Sequence, residues 1–154
     1  MSSSINFKNI LVVGVGLIGG SIIRALKESS FSGGVYGIDS DKSAVTSAYD
    51  LGFIQNKDTN FSKDLDDLLV IFSVPVLSIQ EAMSQINKII NTKNVIYTDT
   101  LSVKSSILNT LKALDKSVLE RFVLSHPIAG SEQSGFKASS ATLFKQKLSI
   151  ICPH

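Results

Sequence analysis

Short apolar runs alternate along the chain with longer segments in which apolar residues recur every three or four positions. The runs predict strands at residues 9–13, 35–38, 68–72, 95–97, 122–124 and 148–151, and most are apolar at consecutive rather than alternate positions. That pattern belongs to strands covered on both faces. Between them, residues 17–27, 42–51, 79–90 and 103–114 read as helices. In the third, Ile79, Met83, Ile86 and Ile90 share one face, a stripe that core packing explains. Strands and helices in alternation predict an α/β fold, a doubly wound and mainly parallel sheet with helices on both faces. Residues 1–4 read as a disordered polar tail. Residues 56–66 read as a polar connection with one helical turn near Asp64. No internal repeat, low-complexity tract or interdomain linker interrupts the pattern.

The totals add limits. A chain of 154 residues, 44% hydrophobic with mean hydropathy +0.24, can fill the core of one domain. A net charge of +2, a pI near 8.7 and the lack of any long charge run exclude an electrostatic footprint for nucleic acid or a membrane surface, leaving a small molecule as the expected partner. The single cysteine, Cys152, permits no internal disulfide, fits a reducing compartment and reads as a small buried hydrophobe on a terminal strand. Residues 10–23 carry four glycines and run into Arg24 and Lys27. They match neither a signal peptide nor, at that length, a bilayer span. A cytoplasmic protein is expected.

Candidate chemistry begins at the first strand, which runs into Gly14-Val15-Gly16-Leu17-Ile18-Gly19 and then into a helix. In G-x-G-x-x-G, the first glycine permits a tight turn, the second lets the backbone approach a pyrophosphate, and the third lets helix and strand pack closely. Amides and the positive end of the helix dipole then receive the phosphate charge. The next strand ends at Asp39, twenty residues beyond Gly19. A carboxylate there accepts hydrogen bonds from ribose hydroxyls and repels a 2′-phosphate, so the Rossmann-type reading favours NAD over NADP. Asp39 has a second reading as the N-cap of the following helix, a role that Ser40 or Asp41 could also fill.

In such a sheet, ligands bind along the rim formed by the carboxyl ends of the strands. That rim would gather Ser73-Val74-Pro75, the segment Thr98 to Ser102 with Thr100 inside it, and Ser125-His126-Pro127. Neutral imidazole is a suitable base for the proton released when a carbinol carbon loses hydride, which makes His126 a candidate catalytic group. Its alternative is a structural histidine at a strand end. Ser102 could hydrogen-bond His126 and orient a substrate hydroxyl, or cap the helix at 103–114. Pro127 would fix the chain leaving the strand, and Gly130 would permit a turn or close approach to a ligand. Glu132 could order the loop, gate entry or be solvated. Lys104 reads as a solvated or structural charge, and no metal ligand set is expected.

The segments Val13 to Ser21, Asp99-x-x-Ser102-Val103-Lys104 and His126-Pro127-Ile128-Ala129-Gly130-Ser131-Glu132-x-x-Gly135 together resemble the nucleotide-binding domain of the prephenate/arogenate dehydrogenases of tyrosine biosynthesis. The resemblance covers nearly the whole chain, and its histidine-centred motif is the specific part. It implies oxidative decarboxylation of prephenate, or the related reaction of arogenate, with NAD as oxidant. His126 would be the base or hydrogen-bond acceptor. Ser102 would contact both the histidine and the substrate hydroxyl, and Gly130, Ser131 and Glu132 would lie in the substrate-binding loop. Leu101 departs from the glycine common before the serine. The resemblance further implies a helical domain that forms a homodimer and supplies an arginine for the substrate carboxylates. Here the only arginines are Arg24 and Arg121, in a helix and at a strand start, so the sequence is expected to represent the nucleotide-binding half. Two other readings stay open: a dehydrogenase of the 3-hydroxy-acid or imine-reducing type, and a non-catalytic NAD-binding module.

Overall fold

The computed structural model describes residues 6–59, 65–90, 92–113 and 116–153. The expected N-terminal tail, the helical turn near Asp64 and the last residue of the helix expected at 103–114 lie outside these. The strands are β1 (Asn9–Val13), β2 (Gly34–Ile38), β3 (Leu68–Phe72), β4 (Val95–Asp99), β5 (Phe122–Pro127) and β6 (Ser149–Cys152). The helices are α1 (Leu17–Glu28), α2 (Lys42–Asp50), α3 (Ile79–Ile89), α4 (Lys104–Lys112) and the single turn α5 (Lys116–Leu119). They form one sheet in the order β2-β1-β3-β4-β5-β6, a doubly wound α/β architecture.

β1 to β5 are parallel, with Val13 level with Ile38 on one side and with Phe72 on the other. Strand order reverses at β1, so the crevice between its end and that of β3 is the switch point where this architecture binds ligands. The consecutive apolar residues of β1 serve two cores because side chains alternate across a strand. Leu11 and Val13 face the layer that holds Met83, Ile107 and Leu111, and Ile10 and Val12 face the layer that holds Ile23 and Val45. Phe72, Tyr97 and Phe122 stack from strand to strand with ring centroids 6.1–6.5 Å apart.

Three features depart from the expected pattern. β6 is antiparallel, with His126 level with Ile150 and Pro127 with Ser149, so its carboxyl end points away from the rim. This pairing also extends β5 through Ser125, His126 and Pro127, which were expected to follow the strand. The polar connection opens with a buried residue. Asn56, 5% exposed, uses its side-chain amide to pair with both the N–H and the carbonyl of Gly37 at 2.8 Å, closing the outer edge of β2 as a neighbouring peptide would. Among the described residues, no helix is long and apolar enough to cross a membrane.

Candidate active site

The turn after β1 shows which glycines the fold demands. Gly14 has φ +96°, and a Cβ on it would lie 2.5 Å from the Ser73 carbonyl oxygen. A Cβ on Gly19 would lie 1.9 Å from the Gly14 carbonyl oxygen. Gly16 differs, because a Cβ there would meet no atom within 4 Å. It caps α1 without a side-chain hydrogen bond, and the first turn carries no acidic residue. The amides of Leu17, Ile18 and Gly19 therefore stand at a helix start that no side chain caps, under an open approach, which suits an anion.

Asp39, at the end of β2, faces this turn. Its carboxylate accepts hydrogen bonds from the Val15 N–H at 2.6 Å and the Asp41 N–H at 2.8 Å, so it is locked in place with lone pairs to spare for hydroxyl donors. It is not the helix cap. Asp41 takes that role, accepting from the Ser43 N–H at 2.9 Å, and its bonds from Ser43 hold its carboxyl below the ordinary value. Gly14, Gly16, Asp39, Ser73, Val74 and Pro75 line one cleft of about 480 Å³ at the switch point. These residues fit a dinucleotide: uncapped amides for a pyrophosphate, an oriented carboxylate for a ribose, and an apolar wall for a base.

That wall was not legible in the pattern of the third helix. Ile86, expected only to fill the core, also lines the cleft, together with Ala82, Gln85 and Ile89. The signal available was that Ala82, Gln85 and Ile89 follow one another at helical steps beside the apolar stripe. Gly135 lines the cleft too, with φ +81°. Thr100 stands behind it, its N–H bonded to the Phe72 carbonyl at 3.0 Å and its hydroxyl 3.3 Å from that of Ser73.

The candidate chemical groups lie farther along the same rim, Ser102 after β4 and His126 on β5, one and two strands beyond β3. His126, half-buried on β5, follows Phe122 and Leu124 on their face of the sheet. Ser102 lies in the turn after β4, exposed, and makes no side-chain hydrogen bond to another described residue. The expected bond between Ser102 and His126 is therefore not formed. Nor does Ser102 cap the next helix: α4 starts one residue late, at Lys104, with Val103 at its N-cap. Gly130, Ser131 and Glu132 are exposed in the loop after β5. Gly130 has neither a positive φ nor a close neighbour, so the turn does not require it, while the Ser131 hydroxyl accepts from the Gln133 N–H at 3.2 Å.

The far end of that loop is tied down. Phe136, 4% exposed, packs beside α1 and edge-to-face on Phe53 with ring centroids 6.1 Å apart, and Arg24 of α1 lies over both rings, 4.5 Å from the Phe53 centroid and 4.7 Å from that of Phe136. Its Nε donates to the Ser139 hydroxyl at 2.7 Å. Beneath the candidate groups, Lys104 is paired with Asp99, whose side chain is fully buried. Lys104 is thus structural rather than solvated.

Comparison with known proteins gives this arrangement its relatives. Residues 22–154 match a family described as "Prephenate dehydrogenase, nucleotide-binding domain". The chain is 30% identical over 94% of its length to the prephenate dehydrogenase of Lactococcus lactis, covering 40% of that protein. It is 36% identical over 96% of its length to the cyclohexadienyl dehydrogenase of Zymomonas mobilis, covering 50%. Among solved structures, the prephenate dehydrogenase of A. aeolicus in complex with hydroxyphenyl propionate and NAD+ superimposes with a TM-score of 0.84 at 33% identity, covering 99% of this chain and 52% of that one. The chain thus spans about half the length of these relatives or less.

Proposed function

The chain belongs to the prephenate dehydrogenase family, in the part that is its nucleotide-binding domain, and from that premise we propose that it binds NAD and forms the nucleotide-binding half of an NAD-dependent prephenate dehydrogenase of tyrosine biosynthesis. The observation that carries this reading is the contrast between Gly16, which has open space above it and uncapped amides beside it, and Gly14 and Gly19, which the fold itself requires. NAD, when bound, supplies the hydride acceptor. The first-turn amides of α1 hold its pyrophosphate and Asp39 holds its adenosine ribose. A carboxylate there disfavours a 2′-phosphate.

On the substrate side, His126 accepts the proton of the ring hydroxyl as the carbon bearing it loses hydride, and Ser102 orients that hydroxyl. The ring carboxylate leaves as carbon dioxide, its bonding pair completing the aromatic ring, and the phenolate oxygen takes the proton back from His126 to give 4-hydroxyphenylpyruvate. Gly130, Ser131 and Glu132 border the substrate. The exposed position of Ser102 and the half-burial of His126 support contact with a substrate entering along the rim. We assign to the additional length of the relatives a helical domain that forms the homodimer and binds the substrate carboxylates. A cytoplasmic location suits a chain with one cysteine and this chemistry. Arogenate is the runner-up substrate, favoured by the Zymomonas relative being named for cyclohexadienols as a class.

Calorimetric titration of this chain with NAD and NADP tests the first half: saturable binding of NAD, at least about tenfold tighter than NADP, is expected. The second half is tested by turnover of prephenate and arogenate in the longest natural polypeptide containing this chain. His126→Gln should lower kcat by about 10²- to 10⁴-fold, the range of general base catalysis. Undiminished turnover in that variant would defeat the assignment and favour a 3-hydroxy-acid type of mechanism. Tight NAD binding with no turnover of either substrate would favour a non-catalytic module.

A further inference from the structure

The backbone ladder between β4 and β5 stops short of the rim. Its pairs are Tyr97 with Phe122 and Thr98 with Val123. Beyond them β5 turns its hydrogen bonds to β6, and side chains bridge the seam instead. The centre of that bridge is the fully buried Asp99. One carboxylate oxygen accepts from the Leu101 N–H at 2.9 Å, and the other from the Ser125 N–H at 3.1 Å. Leu101 precedes Ser102, and Ser125 precedes His126. Lys104, its side chain 15% exposed, reaches back from the first turn of α4 to donate to the Asp99 carboxylate and to the Ser125 carbonyl.

We propose that Asp99 and Lys104 are positioning residues, and that one ion pair fixes the spacing and orientation of Ser102 and His126 by holding the backbone of the residue immediately before each of them. The proposal rests on the reading of His126 and Ser102 as the groups that handle the substrate hydroxyl. Stability alone gives a poor reason for the pair, since buried ion pairs can often be replaced by apolar residues at no cost. An apolar pair, however, could not accept from two amides on different elements while donating to a carbonyl on one of them. The arrangement is a rigid fork: the carboxylate at its base, the β4 turn on one arm and β5 on the other, with the ammonium closing it.

Asp99→Asn combined with Lys104→Met removes both charges with little change of shape. Thr98→Val is the control, since it deletes other side-chain bridges across the same seam, the Thr98 hydroxyl contacts to the Val123 carbonyl at 2.7 Å and to the Ser125 hydroxyl at 3.1 Å, while leaving both charges of the pair in place. In the double variant, kcat should fall about 10²-fold, the usual effect of misplacing a reacting group by about 1 Å. KM and the calorimetric Kd for NAD should both stay within about threefold, because neither Asp99 nor Lys104 lines the cleft at the β1–β3 switch point. The His126 ring resonance, followed by NMR in this chain and assigned against His154, the only other histidine, by its loss in His126→Gln, should shift from its wild-type position.

Thr98→Val should move none of these. A folded double variant with kcat near wild type, an unmoved His126 resonance, or an equal loss in Thr98→Val overturns the proposal. Should the double variant not fold, Lys104→Gln, which keeps an N–H donor but no charge, is held to the same criteria. His126→Gln is measured beside them. Undiminished turnover there sinks the underlying reading of His126, by a different measurement from those that sink the positioning pair alone.

Discussion

Substituting alanine at Gly19 and at Gly16 separates what the phosphate turn does for the fold from what it does for a ligand. At Gly19 the new Cβ would sit 1.9 Å from the Gly14 carbonyl oxygen and 2.9 Å from Val12 Cγ1, neither of which is a flexible chain end. Contacts below 3.0 Å are essentially never seen, so α1 must withdraw from β1 by about 1 Å. A gap of that size forfeits a quarter to a half of the dispersion well for the side chains that α1 buries. Those are chiefly Ile23 and Leu26, whose burial stabilises by about 1.5–3 kcal/mol each. Adding the strain of an overpacked contact, about 1–3 kcal/mol, gives a loss of about 2–6 kcal/mol. For a chain of this size that corresponds to a fall in Tm of about 4–24 °C. At Gly16 the Cβ meets nothing, so only the poorer N-cap propensity of alanine counts, about 1 kcal/mol at most. The methyl group would nevertheless stand in the approach to the first-turn amides. Loss of one charge-assisted hydrogen bond, about 1.5–3 kcal/mol, weakens NAD binding by at least about tenfold. Thermal unfolding followed by circular dichroism and NAD titration calorimetry give the two readouts. Gly16→Ala binding NAD as tightly as wild type, or Gly19→Ala melting within about 2 °C of it, would refute the division of roles.

Asp39→Ala should weaken NAD by about 10- to 100-fold through the loss of charge-assisted bonds and narrow the preference over NADP; an unchanged ratio of the two affinities in calorimetry would contradict the ribose assignment. Asn56→Leu strips the Gly37 N–H and carbonyl of their partners, and should cost about 2–6 kcal/mol in urea unfolding at about 1–3 kcal/mol per orphaned group. Burial pushes the Tyr97 phenol above its ordinary 10.0, with the Arg121 charge opposing in part. A phenol raised in the folded state contributes its full stability below pH 10 and loses it as pH climbs through the folded value. Urea midpoints of wild type and Tyr97→Phe, compared on either side of pH 10, should therefore show a shallower alkaline decline in the variant.

The parts of the fold legible in the sequence are those that local pattern determines. β1 and β3 coincide with the expected runs because a strand buried on both faces has no polar residue inside it to blur its ends. α1 starts where expected because Gly16 breaks the strand pattern one residue earlier. The direction of β6 is different in kind. A short apolar run reads alike in either direction, and only its connection distinguishes them. A parallel neighbour needs a crossover, usually a helix. Between Pro127 and Ser149 the regular helical structure is one short 3₁₀ turn, Phe136–Ala138. The glycines and serines of that stretch already signalled it.

The same distinction runs through the candidate site. The phosphate turn was legible because its three glycines stand at fixed short spacings where β1 runs into α1, although only Gly19 answers to a contact within a few residues, while a Cβ on Gly14 would meet Ser73 beyond β3 and one on Gly16 no atom within 4 Å. The β4–β5 seam was not. Asp99 and Lys104 are five residues apart on no common helix face, and the backbone they hold together, that of Ser125, is reached only after α4, α5 and the start of β5 have been laid down. A buried lysine cannot be told from a solvated one in sequence, since its burial depends on a partner whose position the sheet decides. The rim therefore divides into a half encoded locally, which suits a cofactor common to many folds, and a half assembled by tertiary structure. If the pair at the seam orients His126 as proposed, the specific chemistry resides in the half that local pattern could not disclose.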